Sequence, residues 1–290
     1  MDIKAILMGL AFALMWSSAF TSARIIVEYA PPLTALALRF LISGLLGVLI
    51  ASALGQSAKL TRTQWLGVVV FGVCQNALYL GLNFVAMQTI PASLAAIIAS
   101  TMPLLVALAG WIVFGTKVRP LGISGLIAGV VGVTLIMSAR LQGGVDLFGL
   151  VLCLIGVISL TIATLAVLGA SSGGNVLMIV GLQMLVGSAI LWVPALTLET
   201  WAVTWNWQLI VAIVYTTLVP GLAATLVWFL LVARIGAVKA STFHFLNPFL
   251  GVAIASVLLG EQIGALDVVG VAIIAAGILA VQISKQPTSK

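Results

Sequence analysis

Residues 236–260 read GAVKASTFHFLNPFLGVAIASVLLG, and Glu261 follows. The run is long enough to cross a bilayer, yet it carries His244 and an Asn247-Pro248 pair near its middle. Proline removes a backbone donor and crowds the preceding turn, so a break is expected there. A fainter copy lies 145 residues earlier: Pro248 falls on Pro103, Gly260 on Gly115, Ala237 on Ala92, Ala240 on Ala95 and Ile235 on Ile90. Beyond the stretch, the same offset puts Leu266 on Leu121, Gly270 on Gly125 and Gly277 on Gly132. The offset is half of the 290 residues, so the chain reads as a fused duplication with repeats at 1–145 and 146–290.

Composition sets the solvent. The chain is 63% hydrophobic and 6% charged, whereas a soluble domain is about a quarter charged. Apolar runs of about 20 residues, enough to span a hydrocarbon core, recur from end to end. Only helices or closed barrels satisfy backbone groups in lipid, and runs this long and continuous are not the alternating strands of a barrel. Ten spans are expected, at 3–25, 32–53, 64–86, 91–114, 119–138, 147–169, 175–197, 207–231, 236–259 and 264–283. The first is too long for a signal-peptide core and is read as a retained span. Pro31-Pro32, Pro91, Pro120 and the polar run at 171–175 mark helix ends. Trp201, Trp205 and Trp207 suit an interfacial aromatic belt. The net charge of +6 is scattered over helix ends without a basic patch, which argues against nucleic acid. Cys74 and Cys153 both sit inside apolar runs, so neither a disulfide framework nor a metal site is expected.

Charge gives orientation. With the N-terminus inside, the inner segments hold Lys4, Lys59, Arg62, Lys117, Arg119, Arg234, Lys239, Lys285 and Lys290, and the outer ones only Arg24 and Arg140. Both termini are therefore expected to be cytoplasmic. Each half has five helices, so the second copy must cross the membrane upside down. Equivalent loops do carry opposite charge: Lys117 and Arg119 follow the fourth helix, Glu261 and Asp267 the ninth. Inverted repeats of this kind are a common transporter architecture, with substrate near the midplane where the halves meet.

All six carboxylates, Asp2, Glu28, Asp146, Glu199, Glu261 and Asp267, lie at helix ends or in loops. Ion coupling commonly uses an intramembrane acid, and a cationic cargo needs a counter-charge. Their absence favours a neutral or zwitterionic cargo, with proton coupling through His244 left open. Arg39, inside the second helix, is either a bidentate partner for a substrate carboxylate or a structural arginine. Its repeat partner is Gln183. His244 and Asn247 share a helix face and could contact substrate or bond a neighbouring helix. In the third helix Gly72, Asn76, Tyr79 and Asn83 recur at helical spacing, lining a cavity or bonding between helices. Gln75-Asn76 matches Pro220-Gly221, where the eighth helix is expected to bend just after Tyr215. Phe12, Trp16 and Phe20 form an aromatic stripe with Ser17 beside it, read either as packing or as cavity wall. The breaks at Pro103, Pro220 and Pro248 complete the candidate set. Gly125, Gly129, Gly132, Gly270 and Gly277 permit close helix approach and are candidates for a dimer face.

The segments Met15-Trp16-Ser17-Ser18-Ala19-Phe20 and Ala37-Leu38-Arg39-Phe40, with the twice-repeated Pro-to-Gly helix ending at Gly260-Glu261, resemble the EamA-type branch of the drug/metabolite transporter superfamily. The chain is most similar there to the bacterial aromatic amino-acid exporters. The resemblance implies an all-α integral membrane protein of ten helices in two inverted five-helix repeats, a central substrate cavity and an inner-membrane location. Thr116 stands where the family often has glutamate after glycine, so Glu261 is expected only to cap the outer end of its own helix.

The expectation is thus an exporter of neutral amino acids, aromatic and otherwise hydrophobic, or of similar small metabolites. It would work by alternating access as a facilitator or exchanger, as monomer or homodimer in the lipid bilayer, without cofactor or metal. Proton-coupled multidrug or metabolite efflux is the alternative. An intramembrane enzyme or scaffold is the remote one: no Gly-x-Ser-x-Gly, His-Glu-x-x-His or paired intramembrane aspartates occur.

Overall fold

In a computed structural model, residues 2–115, 118–167, 174–236 and 240–284 are described. Thr116, Ala237, residues 171–173 and the charges Lys117, Lys239, Lys285 and Lys290 used above lie outside that set. The described residues form helices throughout, and ten of these are long and apolar enough to cross a membrane. In chain order they are α1 (Ile3–Tyr29), α2 (Pro32–Ala53), α3 (Arg62–Ala86), α4a (Ala92–Ser100) with α4b (Met102–Phe114), α5 (Pro120–Gln142), α6 (Leu147–Val167), α7 (Val176–Leu198), α8a (Trp207–Thr216) with α8b (Ala224–Ile235), α9a (Thr242–Leu246) with α9b (Asn247–Leu259), and α10 (Ala265–Ser284). Their outward residues are large and apolar, including Leu49, Ile112, Val130, Leu196 and Val257, as lipid-facing positions require. Trp201, Trp205 and Trp207 are exposed, as the aromatic belt demands.

The offset of 145 residues reappears in the backbone. α4 breaks at Thr101 (φ −74°, ψ −10°) and α9 at Leu246 (φ −79°, ψ −21°), and in both the following helix carries proline in its first turn. That is where a missing N–H costs nothing, because the first turn has no internal acceptor to serve. Both helices end on a left-handed glycine, Gly115 (φ 62°) and Gly260 (φ 67°), the conformation that glycine adopts without a Cβ penalty. The two wide π-helical stretches, Gly72–Leu80 in α3 and Thr217–Ala223 between α8a and α8b, also begin 145 residues apart. The bend expected at Pro220 is therefore a π-helical segment, in which i→i+5 bonding bypasses the proline's missing donor.

The chain divides into two compact units that do not coincide with the sequence halves. One comprises Met1–Thr21, Ile90–Leu150 and Ala223–Lys290, the other Ser22–Thr89 and Val151–Leu222. Within each, equivalent helices pack on each other: α5 on α10 and α4a on α9b in the first unit, α2 on α7 in the second. Glycine allows the contact. A Cβ on Gly125 would sit 2.6 Å from the Gly277 carbonyl oxygen, and one on Gly277 would sit 2.6 Å from that of Gly125. Gly132 and Gly270 repeat the contact at 2.8 and 3.0 Å. Exchanging the halves converts one pair into the other, and the register runs antiparallel. These glycines, read from sequence as a candidate dimer face, are spent inside the chain; backbone proximity at helix crossings favours small residues in either role.

In the second unit Gly44 and Gly181 make the same kind of approach, each with its would-be Cβ 3.0 Å from the other's carbonyl oxygen. Here Ser188 Oγ also donates to the Ala37 carbonyl at 2.8 Å.

Acidic groups fasten helix ends. Glu199 accepts from the Leu33 and Thr34 amides at 2.7 and 2.8 Å and from Thr34 Oγ1 at 2.7 Å. Glu261 accepts from the Ala92 and Ser93 amides at 2.7 and 3.0 Å. Each glutamate follows one helix and caps the start of its repeat equivalent, where the dipole favours negative charge. Glu261 thus does not cap its own helix, as expected from sequence; a carboxylate is repelled by a helix C-terminus and satisfied at an N-terminus. A neutral version serves α7, whose Met178 amide donates to Gln56 Oε1 at 3.0 Å. Arg140 at the end of α5 grips Asp267 of α10 through Nε–Oδ1 at 3.1 Å and Nη2–Oδ2 at 2.8 Å. Asp2 caps α1 through the Ala5 amide and pairs with Arg234. The Arg234 guanidinium first, and the Ala5 amide second, draw the Asp2 carboxyl down to about 2.

Candidate functional site

The residues singled out from sequence fall into two clusters, one in each unit. In the first unit the α9 break delivers His244 on the short 3-10 turn α9a and Asn247 at the head of α9b. Asn247 Nδ2 lies 3.0 Å from His244 Nδ1. With the amide donating, Nδ1 is the acceptor and the imidazole proton resides on Nε2. The ring stands edge-on to Phe12 of α1, with centroids 5.4 Å apart at 85°, and meets Trp228 of α8b at 5.2 Å. Phe12 also packs against Trp228 at 4.8 Å and Trp16 at 5.6 Å. Phe12 is buried; Trp16, Trp228 and His244 are half-buried. Ser17 Oγ donates to the Asn247 carbonyl at 3.4 Å, and Asn247 Oδ1 is buried without a partner. One face of α1 thus meets the α9 break in an aromatic box with an unused acceptor at its edge. Gly9 makes room beneath it, since a Cβ there would overlap the Phe243 ring at 2.3 Å. Pro103 and Pro248 lie in the first turns of α4b and α9b and set these breaks.

In the second unit the polar stripe of α3 divides between two neighbours. Asn76 Nδ2 donates to the Gln183 carbonyl of α7 at 2.9 Å, and Gly187 leaves room for the Asn76 side chain. Asn83 Nδ2 returns to the Tyr79 carbonyl at 2.8 Å, while its Oδ1 accepts from the Cys153 thiol of α6 at 3.3 Å. The π-helical stretch carries this change of face, because wider turns rotate the later residues away from an α-helical stripe. Asn76, Tyr79, Asn83 and Gln183 are all buried, and the two asparagines bond within the unit. Tyr215 is 36% exposed, unlike these four. Arg39 of α2 is 6% exposed, its Nε has no partner, and its guanidinium carbon lies 5.2 Å from the Phe40 ring centre. Pro220 sits in the π-helical segment of the same unit.

Sequence reading missed several participants. Trp228 closes the aromatic box from α8b, far along the chain from α1, and only the tertiary fold brings it there. Ser43 is buried one turn from Arg39 with its Oγ unpartnered, and the i,i+4 spacing could have revealed it. A cleft of about 500 Å³, lined in part by Glu28, Tyr29, Gln88, Glu199 and Thr200, opens at the α1–α2 turn. Its acids are engaged, Glu199 with the α2 amides and Glu28 with Arg24 at 3.5 Å. Cys74 and Cys153 are free thiols. Among the described residues no group of three or more His, Cys, Asp or Glu side chains could hold a metal ion.

Known proteins resemble this chain in sequence and in fold. A chain of known crystal structure superposes with a TM-score of 0.68 over 97% of this chain and 98% of its own, at 19% identity, which shows a common fold. The uncharacterized transporter YvbV of Bacillus subtilis is 27% identical over 256 residues, covering 88% of this chain and 84% of YvbV. The aromatic amino acid exporter YddG of Ancylobacter novellus is 30% identical over 140 residues, covering 48% of each chain. The model of the EamA-like transporter family matches twice, at residues 3–138 and again at 147–283. The chain belongs to the EamA-like transporter family.

Proposed function

We propose that this protein exports neutral amino acids with aromatic or other hydrophobic side chains across the bacterial inner membrane, by alternating access and without a driving ion. The aromatic box of Phe12, Trp16, Trp228 and His244 carries the reading. Its faces and edges suit an apolar or aromatic side chain, and the free Asn247 Oδ1 at its edge offers an acceptor for an ammonium group. The placement of all six carboxylates at helix ends supports a cargo without net positive charge. Partial similarity to a named aromatic amino acid exporter points the same way. The two repeats of 1–145 and 146–290 would lie inverted in the membrane, with both termini cytoplasmic.

Purified protein in liposomes should equilibrate labelled phenylalanine, methionine or leucine down a concentration gradient. A pH gradient that drives any of these uphill would replace the facilitator by a proton-coupled carrier. Flux of a cationic drug with none of any amino acid would remove the reading altogether.

A further inference from the structure

The second unit contains an arrangement that the packing of helices does not explain. Arg39 and Ser43 stand one turn apart on α2, 6% and 1% exposed. Arg39 Nε and Ser43 Oγ are both buried, and neither has a hydrogen-bond partner. Both side chains point at the π-helical segment Thr217–Ala223. A Cβ on Gly221 would lie 3.1 Å from the Thr216 carbonyl oxygen, 3.6 Å from Arg39 Nη2 and 3.9 Å from Ser43 Oγ. A cationic fork and a hydroxyl therefore converge on the space above a residue that has no side chain. An unpaired charge away from water is expensive, and leaving its N–H groups unbonded adds to that expense. The six carboxylates sit at helix ends or in loops, and the ion pairs among the described residues go to Arg24, Arg140 and Arg234, not to Arg39. The Phe40 ring at 5.2 Å offers its face to the cation but no lone pair to the N–H groups.

We propose that Arg39, Ser43 and Gly221 form a carboxylate-binding subsite. The guanidinium edge takes the two carboxylate oxygens side by side, Ser43 donates to one of them, and the bare Gly221 backbone leaves room for the group. The proline at 220 contributes by forcing the π-helical turn that brings Gly221 against α2. Because it rests on the amino-acid reading, the proposal makes the α-carboxylate a required part of the cargo. A site that leaves a buried guanidinium unpaired when the carboxylate is absent rejects amino alcohols and amines far more strongly than it ranks side chains.

The test is ligand-induced thermal stabilisation of the purified full chain in detergent, with L-phenylalanine, 3-phenylpropionate, L-phenylalaninol and phenethylamine as probes, and with sodium chloride and sodium phosphate as separate arms. The two carboxylates should stabilise the wild type, and the alcohol and amine should not. Ser43→Ala should weaken carboxylate binding roughly 10-fold, as loss of one hydrogen bond to a charged group does. Arg39→Lys keeps the charge without the fork and should weaken it at least as much. Arg39→Gln should abolish it. Equal stabilisation by phenylalaninol and phenylalanine would overturn the proposal, as would unchanged discrimination in Ser43→Ala and Arg39→Lys. So would equal protection by chloride or phosphate, which would make the occupant a small ion. Should Arg39→Gln fail to fold, Ser43→Ala and Arg39→Lys decide the matter. The two readings fail separately. Carboxylate protection through Arg39 without amino-acid flux removes the export reading alone, and flux without carboxylate discrimination removes the subsite alone.

Discussion

Substitution at the α5–α10 crossing tests the reciprocal glycine contact in energetic terms. In Gly125→Ala the added methyl group would begin 2.6 Å from the Gly277 carbonyl oxygen, whereas ordinary van der Waals contact starts at 3.4 Å. The obstacle is backbone, so no rotamer relieves it and the helices must separate by a large fraction of an ångström. Overpacking of this kind costs about 1–3 kcal/mol, which for a chain of this size lowers the thermal midpoint by roughly 2–12 °C. Gly277→Ala makes the reciprocal clash and should cost the same. The double variant is the sharper measurement. One separation relieves both contacts, so Gly125→Ala with Gly277→Ala should cost less than the sum by about 0.5 kcal/mol or more. Gly125→Ala with Gly44→Ala, which perturbs the α2–α7 crossing in the other unit, should be additive within about 0.5 kcal/mol. Thermal unfolding of the wild type, the three single variants (Gly44→Ala included) and the two double variants in one detergent provides the comparison. Wild-type stability in Gly125→Ala, or strict additivity of the Gly125–Gly277 pair, would refute the argument from reciprocal contact.

Two further predictions concern charge at helix ends. Glu199→Gln and Glu261→Gln keep an acceptor for the amides but lose the charge, and each should cost about 0.3–1 kcal/mol, with the alanine variants costing about 0.5–2 kcal/mol, measured by thermal unfolding at low ionic strength. Arg140→Met leaves Asp267, 4% exposed, without its cation and should destabilise by about 3–5 kcal/mol; adding Asp267→Leu should restore most of this, and a double variant no more stable than Arg140→Met would contradict the pairing.

Much of the architecture was legible because proline and glycine constrain backbone directly. Pro103 and Pro248 announced two helix breaks, and Gly115 and Gly260 were matched as the ends of the two helices, whose left-handed caps the structure adds. The π-helical stretches were not legible, since Gly72–Leu80 contains no proline and its apolar pattern is that of any buried helix. For the same reason Asn76 and Asn83 read as one stripe, although they bond towards different helices. Partners across long separations escaped as well. Glu261 could be placed at a helix end from sequence, but which helix it caps depends on the pairing of α4a with α9b. Candidate site residues showed themselves through polarity in an apolar run, which flags Arg39, Asn76 and His244 equally. What separates them is hydrogen bonding: Asn76 is satisfied within the unit, whereas Arg39 Nε and Asn247 Oδ1 are not.

The proposed cargo is a neutral, hydrophobic amino acid moving without a coupled ion. Counterflow in liposomes addresses it most directly: vesicles loaded with unlabelled phenylalanine are diluted into labelled phenylalanine, with and without an imposed pH gradient. Label should accumulate transiently, in dependence on internal phenylalanine, unaffected by the pH gradient and in competition with methionine and leucine. Absence of counterflow for every neutral amino acid, with uptake of a cationic drug driven by the pH gradient, would contradict it.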